Sequence, residues 1–287
     1  MPELPEVETI VRDLRKKAVG YKIVDFWTDW EKSIKMSLGD FKKKIISQTI
    51  EKVERRGKNI LVFLGDSWVM LIHLKMTGHL LFKNEKTADN KYFKERVNLY
   101  IRHIWYLETG FFDKKAQLEF SDLRKFGKIR LIRINKLGED LELQKLGVEP
   151  LEEKFNIEYF WKLTRDRKRK NIKMLIMDQA LIVGVGNIYA SEALFEAWIN
   201  PNRKAGSLTK KEVGKLYQAI VRILERAIEL RGTSDSDYRD SKGAPGGFQK
   251  VLKVYNRKGQ ECFRCDGTVE RATIGQRGTF WCESCQK

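Results

Sequence analysis

The chain has 287 residues, 42% of them hydrophobic and 33% charged, which excludes a disordered protein and allows two domains with cores of their own plus a small appendage. Against 39 acidic residues stand 56 lysines and arginines, a formal charge of +17 that favours a polyanionic partner. The apolar stretches, such as residues 182–185, are too short to cross a bilayer, so nucleic acid is expected before a membrane.

Residues 1–8 carry three glutamates and no basic residue, the opposite of a secretory leader, so a cytoplasmic protein is expected. Residues 5–19 read as a helix. Val7, Ile10, Val11, Leu14 and Ala18 recur at helical spacing, Pro5 suits the first turn and Gly20 the stop. Glu6 and Glu8 fall in that first turn, where the helix dipole favours them. From about residue 22 to 134 the pattern changes to short β-rich runs at Val53, 60–64, 68–74 and 129–134. Arg56-Gly57, Gly65-Asp66 and Thr77-Gly78 punctuate them, which predicts a sandwich or flattened barrel. Residues 83–94 are polar and read as a loop.

A hinge is expected at 147–152, with helices beyond it. Arg165, Arg167, Lys168, Arg169, Lys170 and Lys173 place six cations within nine positions. That density suits phosphate contact, although a charged helix end has the same look. Gly184-Val185-Gly186-Asn187 precedes a helix over 189–198. Glycines there let the backbone approach closely, and N–H groups at a helix start can receive a phosphate. The spacing is not the dinucleotide fingerprint. Thr209 and Glu212 form a capping box ahead of Val213, Leu216, Tyr217, Ile220, Leu224 and Ile228, with Gly232 as the stop. A glycine- and serine-rich stretch, 232–247, follows.

All four cysteines lie at the end of the chain, as Cys262-x2-Cys265 and Cys282-x2-Cys285 with 16 residues between the pairs. Nothing suggests export, so disulfides are the weaker reading. Two such pairs can each grip one side of a tetrahedral Zn²⁺. Four protein ligands leave no open position, so one structural zinc is expected, folding a hairpin of strands 271–273 and 279–281. Arg277 then sits at the tip of a rigid stalk.

Several distant segments together resemble the formamidopyrimidine-DNA glycosylases. They are Met1-Pro2-Glu3-Leu4-Pro5-Glu6-Val7-Glu8-Thr9, Arg55-Arg56-Gly57-Lys58, His73-Leu74-Lys75-Met76-Thr77-Gly78 and Asp122-Leu123-Arg124-Lys125-Phe126-Gly127. Val183-Gly184-Val185-Gly186-Asn187-Ile188-Tyr189-Ala190 and Gln276-Arg277 ahead of Cys282 complete the set, in family order across nearly the whole chain. The resemblance implies an α+β multidomain fold. Its parts are an N-terminal β-sandwich with flanking helices (1–146), a helix-two-turns-helix domain carrying a lesion-recognition loop (153–252), and a zinc β-hairpin (253–287).

It also implies a bifunctional glycosylase and lyase acting on damaged double-stranded DNA as a monomer. Pro2, freed by loss of Met1, becomes the nucleophile that attacks the sugar C1′. An α-amino group near pKa ~8 has a larger neutral fraction than a lysine near ~10.4, and a secondary amine gives an iminium directly. Small second residues permit methionine removal. Glu3 is implied as general acid and proton shuttle, Lys58 as a phosphate clamp assisting β-elimination, and Arg277 as phosphate clamp in δ-elimination. Met76, Arg124 and Phe126 resemble the trio that refills the space left by the everted base, with the arginine pairing to the widowed cytosine. Lys168, Asn187 and His103 are implied DNA contacts. The 232–247 stretch resembles the mobile loop that closes over 8-oxoguanine, which favours oxidised purines over the pyrimidines of endonuclease VIII-type relatives. A catalytically silent zinc-finger DNA-binding protein is the reading from another class.

Overall fold

The structure is a computed structural model that describes residues 1–65, 67–87, 89–109 and 114–287. Asp66, part of one expected turn, and residue 88 of the expected loop lie outside the described residues. The chain divides into two compact units, Met1–Gln144 with Leu230–Gln249, and Lys145–Glu229 with Lys250–Lys287.

The first unit begins with helix α1 (Leu4–Lys17), which has Arg15, Lys16 and Lys17 in its last turn, where the dipole favours cations. Leu4, Val7, Ile10, Val11 and Leu14 are fully buried on it. At about 1.5–3 kcal/mol per buried aliphatic side chain, this stripe fixes the helix firmly. It ends where Gly20 takes φ +87, a left-handed turn that suits glycine.

After β1 (Lys22–Thr28) and the short helix α2 (Leu38–Ile45) come β2 (Ile50–Arg56), β3 (Asn59–Leu64), β4 (Trp68–His73) and β5 (His79–Asn84). Then follow β6 (Ile101–Glu108), β7 (Lys115–Ser121), β8 (Lys128–Arg133) and the single-turn helix α3 (Leu141–Gln144). They form two antiparallel four-stranded sheets, ordered β1-β6-β7-β5 and β2-β3-β4-β8. Ile60, Val62, Met70 and Ile72 of the second sheet join Phe26, Trp105, Leu118 and Phe120 of the first in one core with α1. The outer face of the second sheet is covered as well: Leu61, Val69 and Leu71 pack against Ile132, Ile134, Leu137 and Leu143. Burial on both faces explains why β3 and β4 read as unbroken apolar runs rather than alternating ones.

His103 departs from expectation. It is fully buried, its ring stacked on Phe120 at 5.6 Å and on Phe26 at 5.9 Å, with Nε2 2.9 Å from Ser33 Oγ. A residue so enclosed cannot contact DNA phosphate. Alternation in β6 puts His103 on the same inward face as Trp105 and Leu107.

The second unit contains α4 (Ile157–Asp166), α5 (Ile172–Ile176), α6 (Asn187–Glu196) and α7 (Lys210–Glu229), then the hairpin β9 (Val269–Ile274) and β10 (Arg277–Cys282). Asn156 caps α4 through Tyr159 N–H at 2.9 Å, and the Thr209–Glu212 box forms at α7. Helix α6 is buried from Ile188 to Phe195. Its Glu192 carboxylate accepts the N–H groups of Lys253, Val254 and Tyr255 at 2.9–3.0 Å, tying the approach to the zinc module onto the helix.

By its contacts, the stretch 230–249 groups with the first unit: Tyr238 enters its core and Ser241 carbonyl accepts the Phe82 N–H. The expected hinge at 147–152 is clamped inside the second unit. Gly147 N–H donates to Gln179 carbonyl at 2.8 Å, Val148 bridges Ile182, and Glu149 is buried.

Burial, before any other cause, holds His79 at a pKa of about 4 and His103 at about 3. Both are depressed relative to an unfolded value near 6.5. Between pH ~6.5 and ~4 the unfolded chain therefore takes up protons that the folded one refuses. Stability should fall with falling pH in that window, by up to about 1.4 kcal/mol per pH unit per histidine. Urea unfolding at pH 7, 6 and 5 reads this slope. His103→Phe, which keeps the ring stack, should remove one histidine's share of it, and an unchanged slope would count against the assignment.

Candidate functional site

The start of α1 is built around Glu6. Pro2 and Glu3 are buried, and Glu3 is the helix N-cap. Glu3 N–H donates to Glu6 Oε2 at 2.7 Å, one half of a reciprocal capping box. The other oxygen, Glu6 Oε1, accepts the Thr233 N–H at 2.7 Å, and the Tyr238 hydroxyl donates to the Glu6 carbonyl at 3.3 Å. One buried carboxylate thus joins the N-terminal tip to the glycine- and serine-rich stretch. Glu6 is the first-turn acid the sequence predicts, and its place three positions after the cap is the signal for the capping box; the bond from Thr233 has no local signal.

That stretch is anchored more than its composition suggested. Arg231 bridges Asp13 at 2.5 Å and Asp240 at 2.6 Å, Ser241 Oγ donates to Asp13 Oδ2 at 2.6 Å, and Asn98 Nδ2 donates to Gly243 carbonyl at 3.0 Å. Burial would raise the Asp13 carboxyl, yet the bonds from Arg231 and Ser241 hold it below its ordinary value. Asp235 and Ser236 are left exposed at the tip.

Lys58 follows Gly57, at φ +58, in the two-residue turn between β2 and β3. It is 7% exposed, unlike an ordinary turn lysine. Burial, and after it the charges of Lys75, Lys58 and Lys128, lowers His73 to a pKa of about 3. On α1, Glu8 pairs with Arg12 and with Arg55 of β2 at 2.8 and 2.9 Å.

Met76 on the β4–β5 loop is 38% exposed, and on the β7–β8 loop Phe126 is 56% exposed, with Arg124 also exposed. The two loops meet: Arg124 N–H donates to Thr77 Oγ1 at 3.1 Å. All three therefore stand in solvent rather than in the core.

In the second unit the basic run separates into two kinds of residue. Arg165 donates to the carbonyls of Ala205, Gly206 and Leu208, Lys170 pairs with Asp178, and Lys173 is fully buried. Arg167, Lys168 and Arg169 remain exposed. Lys173 Nζ donates to Asn187 Oδ1 at 2.6 Å and Thr279 Oγ1 at 2.7 Å, and Asn187 Nδ2 donates to Gly278 carbonyl at 2.9 Å. Asn187, expected as a phosphate contact, thereby fixes the strand that begins at Arg277. Gly184 N–H is taken by Gln179 Oε1 at 2.9 Å. Arg277 is exposed at the start of β10, just after Gly275 and Gln276 turn the hairpin with φ +54 and +62. Gly275 sits in the left-handed region and a Cβ there would also push against the Met174 side chain, so the turn favours glycine.

The four cysteine sulfurs lie within 4.8 Å of one another, with Cys262–Cys285 at 3.9 Å and Cys265–Cys282 at 3.5 Å. Tetrahedral thiolates at ~2.3 Å from zinc sit about 3.8 Å apart, so the donor set fits the ion and is too open for disulfides. Phe195, Val254, Val269 and Phe280 form the small core beneath it, too little apolar mass to fold the hairpin alone. One zinc per chain is therefore expected by atomic absorption. Cys282→Ser should lose it and abolish hydrogen-exchange protection across β9 and β10; retained protection without metal would contradict this.

Three family descriptions match in chain order. The formamidopyrimidine-DNA glycosylase N-terminal domain covers residues 1–129, the formamidopyrimidine-DNA glycosylase H2TH domain 146–239, and the zinc finger found in FPG and IleRS 259–287. The last match and the cysteine cluster together identify one structural zinc. A formamidopyrimidine-DNA glycosylase of Pelotomaculum thermopropionicum is 40% identical over 288 residues, covering 100% of this chain and 99% of the relative. Among solved structures, Lactococcus lactis Fpg with DNA containing an abasic site has a TM-score of 0.87 at 31% identity, covering 99% of each chain. The wild-type Lactococcus lactis Fpg with DNA containing N7-benzyl-Fapy-dG has a TM-score of 0.87 at 32% identity, covering 100% of each chain. On these matches, the chain belongs to the formamidopyrimidine-DNA glycosylase family.

Proposed function

We propose that this protein is a base-excision repair glycosylase and AP lyase that removes oxidised purines from duplex DNA and cleaves the abasic site by β,δ-elimination. The observation that carries the reading is the tip of α1, where Pro2 and Glu3 are held buried by the cap on Glu6. With Met1 removed, the Pro2 nitrogen attacks C1′, the N-glycosidic bond breaks, and an iminium links protein and sugar. Glu3, next in the chain, supplies a proton as the sugar ring opens. The iminium makes the adjacent C–H acidic. Loss of that proton expels one phosphate, and a second elimination expels the other.

Lys58, kept in a shielded basic turn, serves a flanking phosphate in the first elimination. Arg277, at the fixed start of β10, clamps phosphate in the second. Lys168, in the exposed part of its basic run, contacts the backbone, while Asn187 acts by holding the Arg277 strand. Met76, Arg124 and Phe126 fill the vacated base position. The protein acts as a monomer, and four cysteines committed to metal rather than disulfides favour the cytoplasm.

Single-turnover release of 8-oxoguanine opposite cytosine, beside thymine glycol in a matched duplex, tests the reading. Release of the purine should be the faster. Glu3→Gln should slow it by about two orders of magnitude, the usual contribution of a positioned acid. A Glu3→Gln protein within about threefold of the parent would remove Glu3 from the chemistry.

A further inference from the structure

The loops bearing Met76 and Phe126 meet over a group the reaction does not use. Asp122 is fully buried and Thr77 is 2% exposed, so neither touches DNA. Asp122 Oδ1 accepts the Thr77 hydroxyl and the Arg124 N–H at 3.2 Å; Oδ2 accepts the N–H groups of Phe126 at 2.9 Å and Gly127 at 2.8 Å. Thr77 Oγ1 in turn accepts the Arg124 N–H at 3.1 Å. One carboxylate and one hydroxyl therefore fix three backbone N–H groups of one loop, those of Arg124, Phe126 and Gly127, and the side chain at the root of the other.

Both loops carry strain that such bonds must hold. Lys75, at φ +56, and Lys125, at φ +54, are non-glycine residues in the left-handed region, each immediately before an exposed apolar residue, Met76 and Phe126. Beneath them lies the Phe120 ring. A Cβ on Gly78 would come within 2.7 Å of that ring, and one on Gly127 within 2.4 Å. The two glycines let both loops settle on a single aromatic floor, itself stacked on His103. A buried carboxylate is costly to keep under a surface loop unless its bonds secure something. Here they secure a cluster of exposed apolar side chains, including Leu123 at 45%, that water alone would not hold in place.

We infer that Asp122, with Thr77, is a positioning residue that presets the Met76–Arg124–Phe126 wedge before DNA arrives. The insertion then orders no backbone at the moment of base eversion, and the conformational cost is met during folding. This rests on the wedge reading above.

The test uses the full-length zinc protein and two readouts. Stopped-flow fluorescence of 2-aminopurine beside 8-oxoguanine in a duplex follows wedge insertion. Cleavage of a preformed abasic site in single-stranded DNA needs no stack to be opened. Asp122→Asn keeps the shape but turns a donor toward the loop N–H groups. It should slow the duplex phase by about tenfold and leave single-strand cleavage within about twofold. Thr77→Val should act in the same direction, and Thr77→Ser, which restores the hydroxyl, should match the parent.

Phe126→Ala with Met76→Ala tests the wedge itself. If that pair slows insertion while Asp122→Asn and Thr77→Val do not, the positioning inference fails and the wedge stands. If that pair has no effect, both fail. Proportional loss in both readouts for Asp122→Asn would reduce it to a folding residue and overturn the inference. Should Asp122→Asn not fold, Thr77→Val against Thr77→Ser decides alone.

Discussion

The bond on which the first unit turns is the one Glu6 makes twice. Its carboxylate takes a backbone N–H from the helix cap with one oxygen and a backbone N–H from Thr233 with the other. Charge-assisted bonds of this kind are each worth about 1.5–3 kcal/mol, and burial at 1% exposure protects them from solvent competition. Without that grip the residues ahead of Leu4 would be an ordinary frayed end. With it, Pro2 has a fixed address, and the stretch from residue 230 to 249 is attached to the same helix that carries it.

The same device recurs. Asp13 holds Arg231 and Ser241, Asp122 holds the β7–β8 loop, and Glu192 holds the entry to the zinc module. In each case an acid is drawn inward and spent on backbone or on a buried partner. This sharpens the electrostatics, because acids committed inside leave the exposed surface more basic than the composition alone implies. The basic run after α4 shows the complementary sorting. Lys173 is withdrawn to orient Asn187 and Thr279, while Arg167, Lys168 and Arg169 stay in solvent. A density of positive charge in sequence is therefore part scaffold and part exposed cationic surface.

Much of the fold was legible because its signals are local. Helix α1, the Thr209 box and the cysteine spacing each depend on residues within a turn or two, and the apolar runs of β3 and β4 follow from burial on both faces. What was not legible is long-range. Nothing near His103 in the chain shows that Ser33, Phe26 and Phe120 enclose it. Glycine and serine at 232–247 suggest freedom, yet partners more than 140 positions away in sequence anchor it. Gly147-Val148 looked like a hinge because a glycine there is equally explained by a close neighbour; a Cβ on Gly147 would lie 2.3 Å from the Leu181 backbone. The zinc cysteines were readable from position and type, whereas the contacts of Asp122 and Lys173 exist only in three dimensions.

The proposed chemistry turns on which atom of the protein joins the sugar. Borohydride reduction during turnover on an abasic duplex, followed by digestion and tandem mass spectrometry of the DNA-linked peptide, identifies that atom directly. The sugar remnant should sit on the nitrogen of Pro2 in a peptide lacking Met1. A remnant on Lys58 or any other lysine, or on a peptide that still begins with Met1, would contradict the mechanism.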